Sequence, residues 1–294
     1  MNSPRNRARA RPGARIVGVV GDLGLPDFAF AVAHLSDPHI TTGPLGAVPA
    51  ARLHAALGRV LGLDPRPQMV VITGDLTDHG GPGEYAALRD VLHGYPLPVL
   101  LAAGNHDDPA ALRAEFAGTP HLAGGDSTAY VADHDAARLI VLDSWIPRSP
   151  GGRLGDEQLA WLEKTLLDDP DRPTLVAVHH PPLPLAISLL DTMRLDDAAA
   201  FAEVVRPHRQ IGRILCGHGH RTITATFAGI VLTMAPSTYR QTTLTMRPDE
   251  RTGYADEPTA FLLHLLGREG EWVTHVVQVS HTGATLGGYW TPLQ

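Results

Sequence analysis

Five apolar runs in this chain each stop at a residue able to bind a hard or borderline metal ion. No other feature constrains the fold as tightly. Residues 30–36 precede Asp37-Pro38-His39, and residues 69–73 precede Gly74-Asp75. Residues 99–103 lead into Gly104-Asn105-His106-Asp107, residues 174–178 into His179-His180, and residues 213–216 into Gly217-His218-Gly219-His220. Short apolar runs bounded by Gly and Pro read as fully buried strands. In a layered α/β protein the chemistry gathers at one edge, outside the strand ends, so five such ends predict a single shared site. Alternate residues of a strand share a face, which would let Asp37 and His39, or His218 and His220, point the same way.

Helical patterns fill the gaps. Leu53, Leu57, Val60 and Leu61 fall on one face around residues 50–62, and Tyr85, Leu88 and Leu92 repeat before Gly94. Leu159, Leu162 and Leu166 do the same across 156–168, with Pro170 and Pro173 preventing continuation. Phe201, Val204 and Val205 mark another helix, ended before Pro207. After residue 220 only strands are expected, at 222–227, 230–234, 260–266 and 272–279. The polar stretch 240–258 reads as a loop near one edge. This order predicts an α/β fold of four layers, α/β/β/α, in which two mixed β-sheets are flanked by helices. With no internal repeat and no long linker, residues 28–294 are expected to form a single domain.

At 294 residues, 44% hydrophobic and 19% charged, the chain has the composition of a globular protein. No apolar run approaches the roughly 20 residues needed to cross a bilayer, so no membrane span is expected. Arg5, Arg7, Arg9, Arg11 and Arg15 make the start basic, and Gly21-Asp22 cuts short the apolar segment a signal peptide would need. Residues 1–27 are therefore expected to be a disordered basic N-terminal arm, and the location cytoplasmic. One cysteine, Cys216, excludes an intramolecular disulfide and suits a reducing compartment. The net charge is −7, and more negative still without the arginines of the arm. Such a body is a poor match for polynucleotide, whose binding rests on phosphate neutralisation.

Singly, each motif is ordinary: Gly-Asp after a strand is usually a turn, and Gly-Asn-His-Asp is good turn chemistry. Together and in this order they are hard to explain by structure alone. Carboxylate, imidazole and amide donors without thiolate suit Mn, Fe or Zn rather than a thiolate-bound zinc site.

The set Asp37-x-His39, Gly74-Asp75, Gly104-Asn105-His106-Asp107, His179-His180-Pro181-Pro182 and Gly217-His218-x-His220 resembles the calcineurin-like binuclear metallophosphoesterase superfamily. Within it, the short chain and the forms at 104–108 and 179–182 resemble the class III cyclic nucleotide phosphodiesterases. The resemblance implies two metal ions per chain. Asp37, His39, Asp75 and His220 would surround one, and Asp75, Asn105, His179 and His218 the other, with Asp75 bridging and His180 a neighbour. It implies attack by a metal-bridging hydroxide on a phosphodiester, at a site left net positive by neutral histidines and Asn105. His106 is the candidate proton donor to the departing oxygen. Asp78 and Asp107 are candidates for orienting histidine N–H groups, and Asp143-Ser144-Trp145 for lining the pocket. Gly219, where relatives often carry a larger side chain, is expected to loosen or open the site. His34 and Cys216 are expected in the core; His54, His79, His93, His121 and His134 are expected on the surface.

The substrate class implied is a 3′,5′-cyclic nucleotide such as cAMP. The alternatives are a 2′,3′-cyclic nucleotide or a glycerophosphodiester, and, from another class, a non-enzymatic scaffold that kept the fold. A homodimer is implied as well, since edge strands after residue 220 are free to pair or pack.

Overall fold

The protein is described by a computed structural model over residues 28–122, 127–247 and 249–280. The basic arm expected over residues 1–27 lies outside the described residues. The apolar runs form strands where the pattern predicts them. β1 (Phe28–Leu35), β2 (Met69–Thr73) and β3 (Val99–Ala102) pair in parallel. β12 (Ala260–Gly267) and β13 (Trp272–Gln278) add antiparallel to the other side of β1, giving the order β13-β12-β1-β2-β3.

The second sheet contains β4 (Tyr130–His134), β5 (Ala137–Val141), β6 (Thr174–Ala177), β7 (Ile211–Cys216), β8 (Ile223–Phe227) and β9 (Ile230–Met234). Its order is β4-β5-β6-β7-β9-β8, parallel from β5 through β9 and antiparallel at both edges. Both sheets are thus mixed.

Alternation along the second sheet explains the layering. Leu139, Val141, Leu175, Ala177 and Leu215 join the core shared with the first sheet. Their neighbours Ile140, Val176, Val178, Ile214 and Cys216 turn to the other face. There they meet Leu159, Leu162 and Leu166 of α4 (Asp156–Leu167) and Phe201 and Val205 of α5 (Ala198–Val205). A strand buried on both faces needs apolar residues at every position, which is why these runs show no polar alternation. On the first sheet pack Leu53, Leu57 and Val60 of α1 (Ala47–Leu61), Tyr85 and Leu88 of α2 (Pro82–Leu92), and Leu112 of α3 (Pro109–Glu115).

Two elements depart from the sequence expectation. α3 was not foreseen; Asp108 caps it by accepting from the N–H groups of Ala110 and Ala111, both at 2.9 Å, and Pro109 occupies its first turn. The stretch 240–258 is more than an edge loop. It contains a short antiparallel ladder, β10 (Gln241–Thr242) with β11 (Tyr254–Ala255), which borders the site described next.

Candidate metal centre

The residues in question lie beyond the strands rather than on them. β1 ends at Leu35, β2 at Thr73 and β7 at Cys216. Asp37, His39, Asp75, His218 and His220 all have φ between 46° and 69°. Alternation along a strand is therefore not what brings Asp37 and His39, or His218 and His220, together; left-handed turns do it. Such conformations are uncommon for residues other than glycine and persist where surroundings over-determine them. Here the β1–β2 pairing continues loop to loop. The N–H groups of Asp37, His39 and Ile40 donate to the carbonyls of Gly74, Asp75 and Leu76 at 3.1, 3.0 and 3.0 Å. Ser237 Oγ donates to the Asp37 carbonyl at 2.7 Å. Gly74 has φ 92°, and a Cβ there would run into the His179 ring. A Cβ at Gly104 would strike Asp75. The glycines before these residues are spaces the site requires.

The structure brings the seven residues expected to hold metal ions to one place. Asp37, His39, Asp75 and His220 are buried, and a ligating atom from each lies within 4.8 Å of the others. His39 Nε2 is 3.0 Å from His220 Nε2, and His220 Nε2 is 3.3 Å from Asp37 Oδ1. Beside this group, Asn105 Oδ1 is 3.0 Å from His218 Nδ1 and 3.2 Å from His179 Nε2. Asp75 belongs to both groups: Oδ2 faces His39 Nε2 at 3.6 Å, and Oδ1 faces His179 Nε2 at 3.4 Å.

On His39, His220 and His179 the other ring nitrogen is committed outward, whereas His218 Nε2 is buried without a hydrogen-bond partner among the described residues. His39 Nδ1 donates to Asp78 Oδ1 at 3.0 Å, His220 Nδ1 to the Arg240 carbonyl at 2.9 Å, and His179 Nδ1 to the Thr73 carbonyl at 2.7 Å. An outward donor leaves the inward nitrogen as a lone pair. Burial pulls His39 and His218 down, His218 to about 3, keeping both neutral. His220 differs: burial lowers its pKa, but Asp37 beside it outweighs that and raises it. For Asp78 the hydrogen bond from His39 leads; partial burial opposes it, and the pKa falls to about 2. Two imidazole nitrogens 3.0 Å apart, flanked by two buried carboxylates, call for positive charge among them, supplied by a proton or by a metal ion. The donor set, imidazole, carboxylate and amide, fits such ions.

The secondary expectations divide. Asp78 does orient His39. Asp107 hydrogen-bonds to no histidine among the described residues; its carboxylate accepts from the N–H groups of Leu76, Thr77 and Gly104 and from Tyr85 Oη, fastening two loops together. His180 is a neighbour, with Nδ1 2.8 Å from Ser144 Oγ and Nε2 3.2 Å from the Pro150 carbonyl. Asp143 and Trp145 line a different cavity. Gly219 opens nothing, because Met234 Sδ takes the space its Cβ would fill. Cys216 and His34 are fully buried. His54, His79 and His93 are exposed, whereas His121 and His134 are half-buried against Tyr130 and Phe30.

A cleft of about 240 Å³ opens over both groups. His39, Asp75, Asn105, His106, His218 and His220 form its polar side, and Leu189, Leu190, Met193 and Tyr254 add an apolar and aromatic wall. Sequence reasoning missed this wall. Leu189 and Leu190 are the one signal it carried, an apolar pair in a segment without helical or strand periodicity.

Residues 30–222 match the family model of the calcineurin-like phosphoesterases. The chain belongs to this family of binuclear metallophosphoesterases and is a metal-dependent phosphodiesterase. It is 31% identical over 263 residues to a protein of Arcobacter nitrofigilis named probable glycerophosphodiester phosphodiesterase GpdQ, covering 88% of this chain and 95% of that one. It is 33% identical over 280 residues to a cAMP/cGMP dual specificity phosphodiesterase of Mycobacterium tuberculosis, covering 92% and 85%. Among solved structures, a dimetal phosphatase from Danio rerio shares the fold at a TM-score of 0.59 and 18% identity, over 86% of this chain and 100% of that one.

Proposed function

We propose that the chain hydrolyses 3′,5′-cyclic nucleotides, with cAMP the first substrate to test. The observation that carries this reading is the cleft. Its polar side holds the two side-chain groups, and its wall of Leu189, Leu190, Met193 and Tyr254 suits the flat, weakly polar base of a nucleotide. In this reading Asp37, His39, Asp75 and His220 hold one metal ion. Asp75, Asn105, His179 and His218 hold the other, and Asp75 is shared. Mn, Fe and Zn all suit these donors. When bound, such a pair neutralises phosphoryl charge and makes water acidic enough to attack near neutral pH.

The chain's own residues supply the remainder. Asn105 adds a donor without adding charge, so the loaded site stays attractive to an anionic diester. His106 lines the cleft, with its ring oriented by a hydrogen bond from Nδ1 to the Asp78 carbonyl at 2.8 Å. Burial lowers its pKa, but Asp75 and the Asp78 carbonyl outweigh that and raise it. That direction favours the protonated ring which a donor to the departing ester oxygen needs.

Glycerophosphodiesters are the second reading, favoured by the relative named GpdQ, which this chain matches over 95% of its length. No helix among the described residues is long and apolar enough to cross a membrane. A cytoplasmic location belongs to the proposal, supported by the free, buried Cys216. So does a homodimer, supported by Val273 and Val276, exposed on the edge strand β13.

Purified Mn-loaded protein assayed on 3′,5′-cAMP, 2′,3′-cAMP and glycerophosphocholine tests the substrate, with and without chelator. The expected result is the highest kcat/KM for 3′,5′-cAMP, abolished by chelator. A preference above about tenfold for the acyclic diester overturns the nucleotide reading.

A further inference from the structure

The ladder β10–β11 is joined directly to the loop that carries His220. The Thr242 N–H donates to the His220 carbonyl at 3.4 Å, and His220 Nδ1 donates to the Arg240 carbonyl at 2.9 Å. Across the ladder Thr242 pairs with Tyr254, and the Thr243 N–H donates to the Gly253 carbonyl at 2.8 Å. Tyr254 is thereby fixed relative to the polar side of the cleft.

Its surroundings are unusual for a tyrosine with only a structural role. Tyr254 is 55% exposed, yet it lines the cleft, and its ring lies 5.8 Å from the His220 ring, inclined by 29°. Tyrosine recruited for stability ordinarily buries its ring. The guanidinium of Arg240 sits 3.8 Å from the Tyr254 ring centroid and 5.0 Å from that of Tyr239. A cation at this distance holds the ring by its face. Arg240 Nε is buried and hydrogen-bonds to nothing among the described residues, while Nη2 lies 3.8 Å from Asp78 Oδ1, so the guanidinium is anchored between Asp78 and the Tyr254 ring. Leu189 and Met193 line the same cleft from another segment, and Leu189 is 50% exposed.

We propose that Tyr254, backed by Arg240, is a specificity-determining residue: its ring stacks on the base of a nucleotide whose phosphate lies over the His and Asp groups. This rests on the nucleotide reading above and adds to it the residue that favours diesters carrying a base over those without one. Stacking on an aromatic face tolerates any base, so purine and pyrimidine nucleotides should both depend on it.

The test measures binding and turnover separately. Calorimetry gives the affinity of Mn-loaded wild type, Tyr254→Ala and Tyr254→Phe for 5′-AMP. Kinetics give kcat and KM for 3′,5′-cAMP and for glycerophosphocholine, which has no base. The expected result is AMP binding weakened roughly tenfold in Tyr254→Ala. The cAMP-to-glycerophosphocholine ratio of kcat/KM should fall alike, through KM, and Tyr254→Phe should restore both. Tyr254→Leu, which keeps bulk without a π face, replaces the alanine variant if that one does not fold. An AMP affinity that falls less than about fivefold without the ring overturns the proposal. If wild type ignores cAMP but its AMP affinity still depends on Tyr254, the substrate reading fails and the stacking inference stands.

Discussion

His106 sits at the junction of the two side-chain groups. Its N–H donates to Asp75 Oδ1 at 2.9 Å, its Nδ1 donates to the Asp78 carbonyl at 2.8 Å, and its ring meets that of His39 edge to face at 4.7 Å. None of its atoms is needed to complete either group. Replacing it by Ala or Asn should cut kcat by roughly 10²–10⁴, the usual range for general acid–base groups. Metal content should stay near that of wild type. Steady-state kinetics with metal analysis checks this, and unchanged turnover would remove His106 from the chemistry. At this scale the identities of the clustered residues were legible, because the donor types and their order in the chain are themselves the signal. How they converge was not. Strand periodicity places Asp37 and His39 on one face, whereas both occupy left-handed turns stabilised by pairing with the Gly74–Leu76 loop. That pairing joins segments more than thirty residues apart, beyond the reach of any local rule.

The elements matter through what they bury. His34 of β1 and His264 of β12 are both fully buried, with Nδ1 of the first 3.3 Å from Nε2 of the second. Thr73 Oγ1 and Thr274 Oγ1 close the chain of contacts at 2.9 Å on either side. Burial holds His34 down at about 3, and His264 is held well below its ordinary value for the same reason. Between pH 6.5 and 3 the unfolded chain therefore binds protons that the folded chain refuses. Stability is full above about pH 6.5 and is lost as the pH falls, by up to about 1.4 kcal/mol per pH unit for each histidine. Urea denaturation in chelator at a series of pH values should show this slope, and His34→Leu/His264→Leu should flatten it. Parallel curves would contradict the assignment. The long helices and buried strands were legible because each carries a periodic or continuous apolar pattern. α3 was not, since its seven residues bury only Pro109 and Leu112; the Asp108-Pro109 cap was its single trace. β10 and β11, of two residues each, are too short to carry a pattern. The wall that holds Tyr254 was invisible for that reason.

For the whole molecule, two sheets packed face to face deliver their loops to a single edge. β1, β2 and β3 of the first sheet lead to Asp37, His39, Asp75 and Asn105; β6 and β7 of the second lead to His179, His218 and His220. The site exists only where the sheets meet, and Asp75, with one oxygen toward each group, is the residue that joins them. Metal analysis by mass spectrometry after Mn loading and dialysis tests this most directly, with wild type compared against Asp75→Asn. Two equivalents per chain are expected in wild type and at most one in the variant. A wild type that retains fewer than two, or a variant that keeps both, would contradict this.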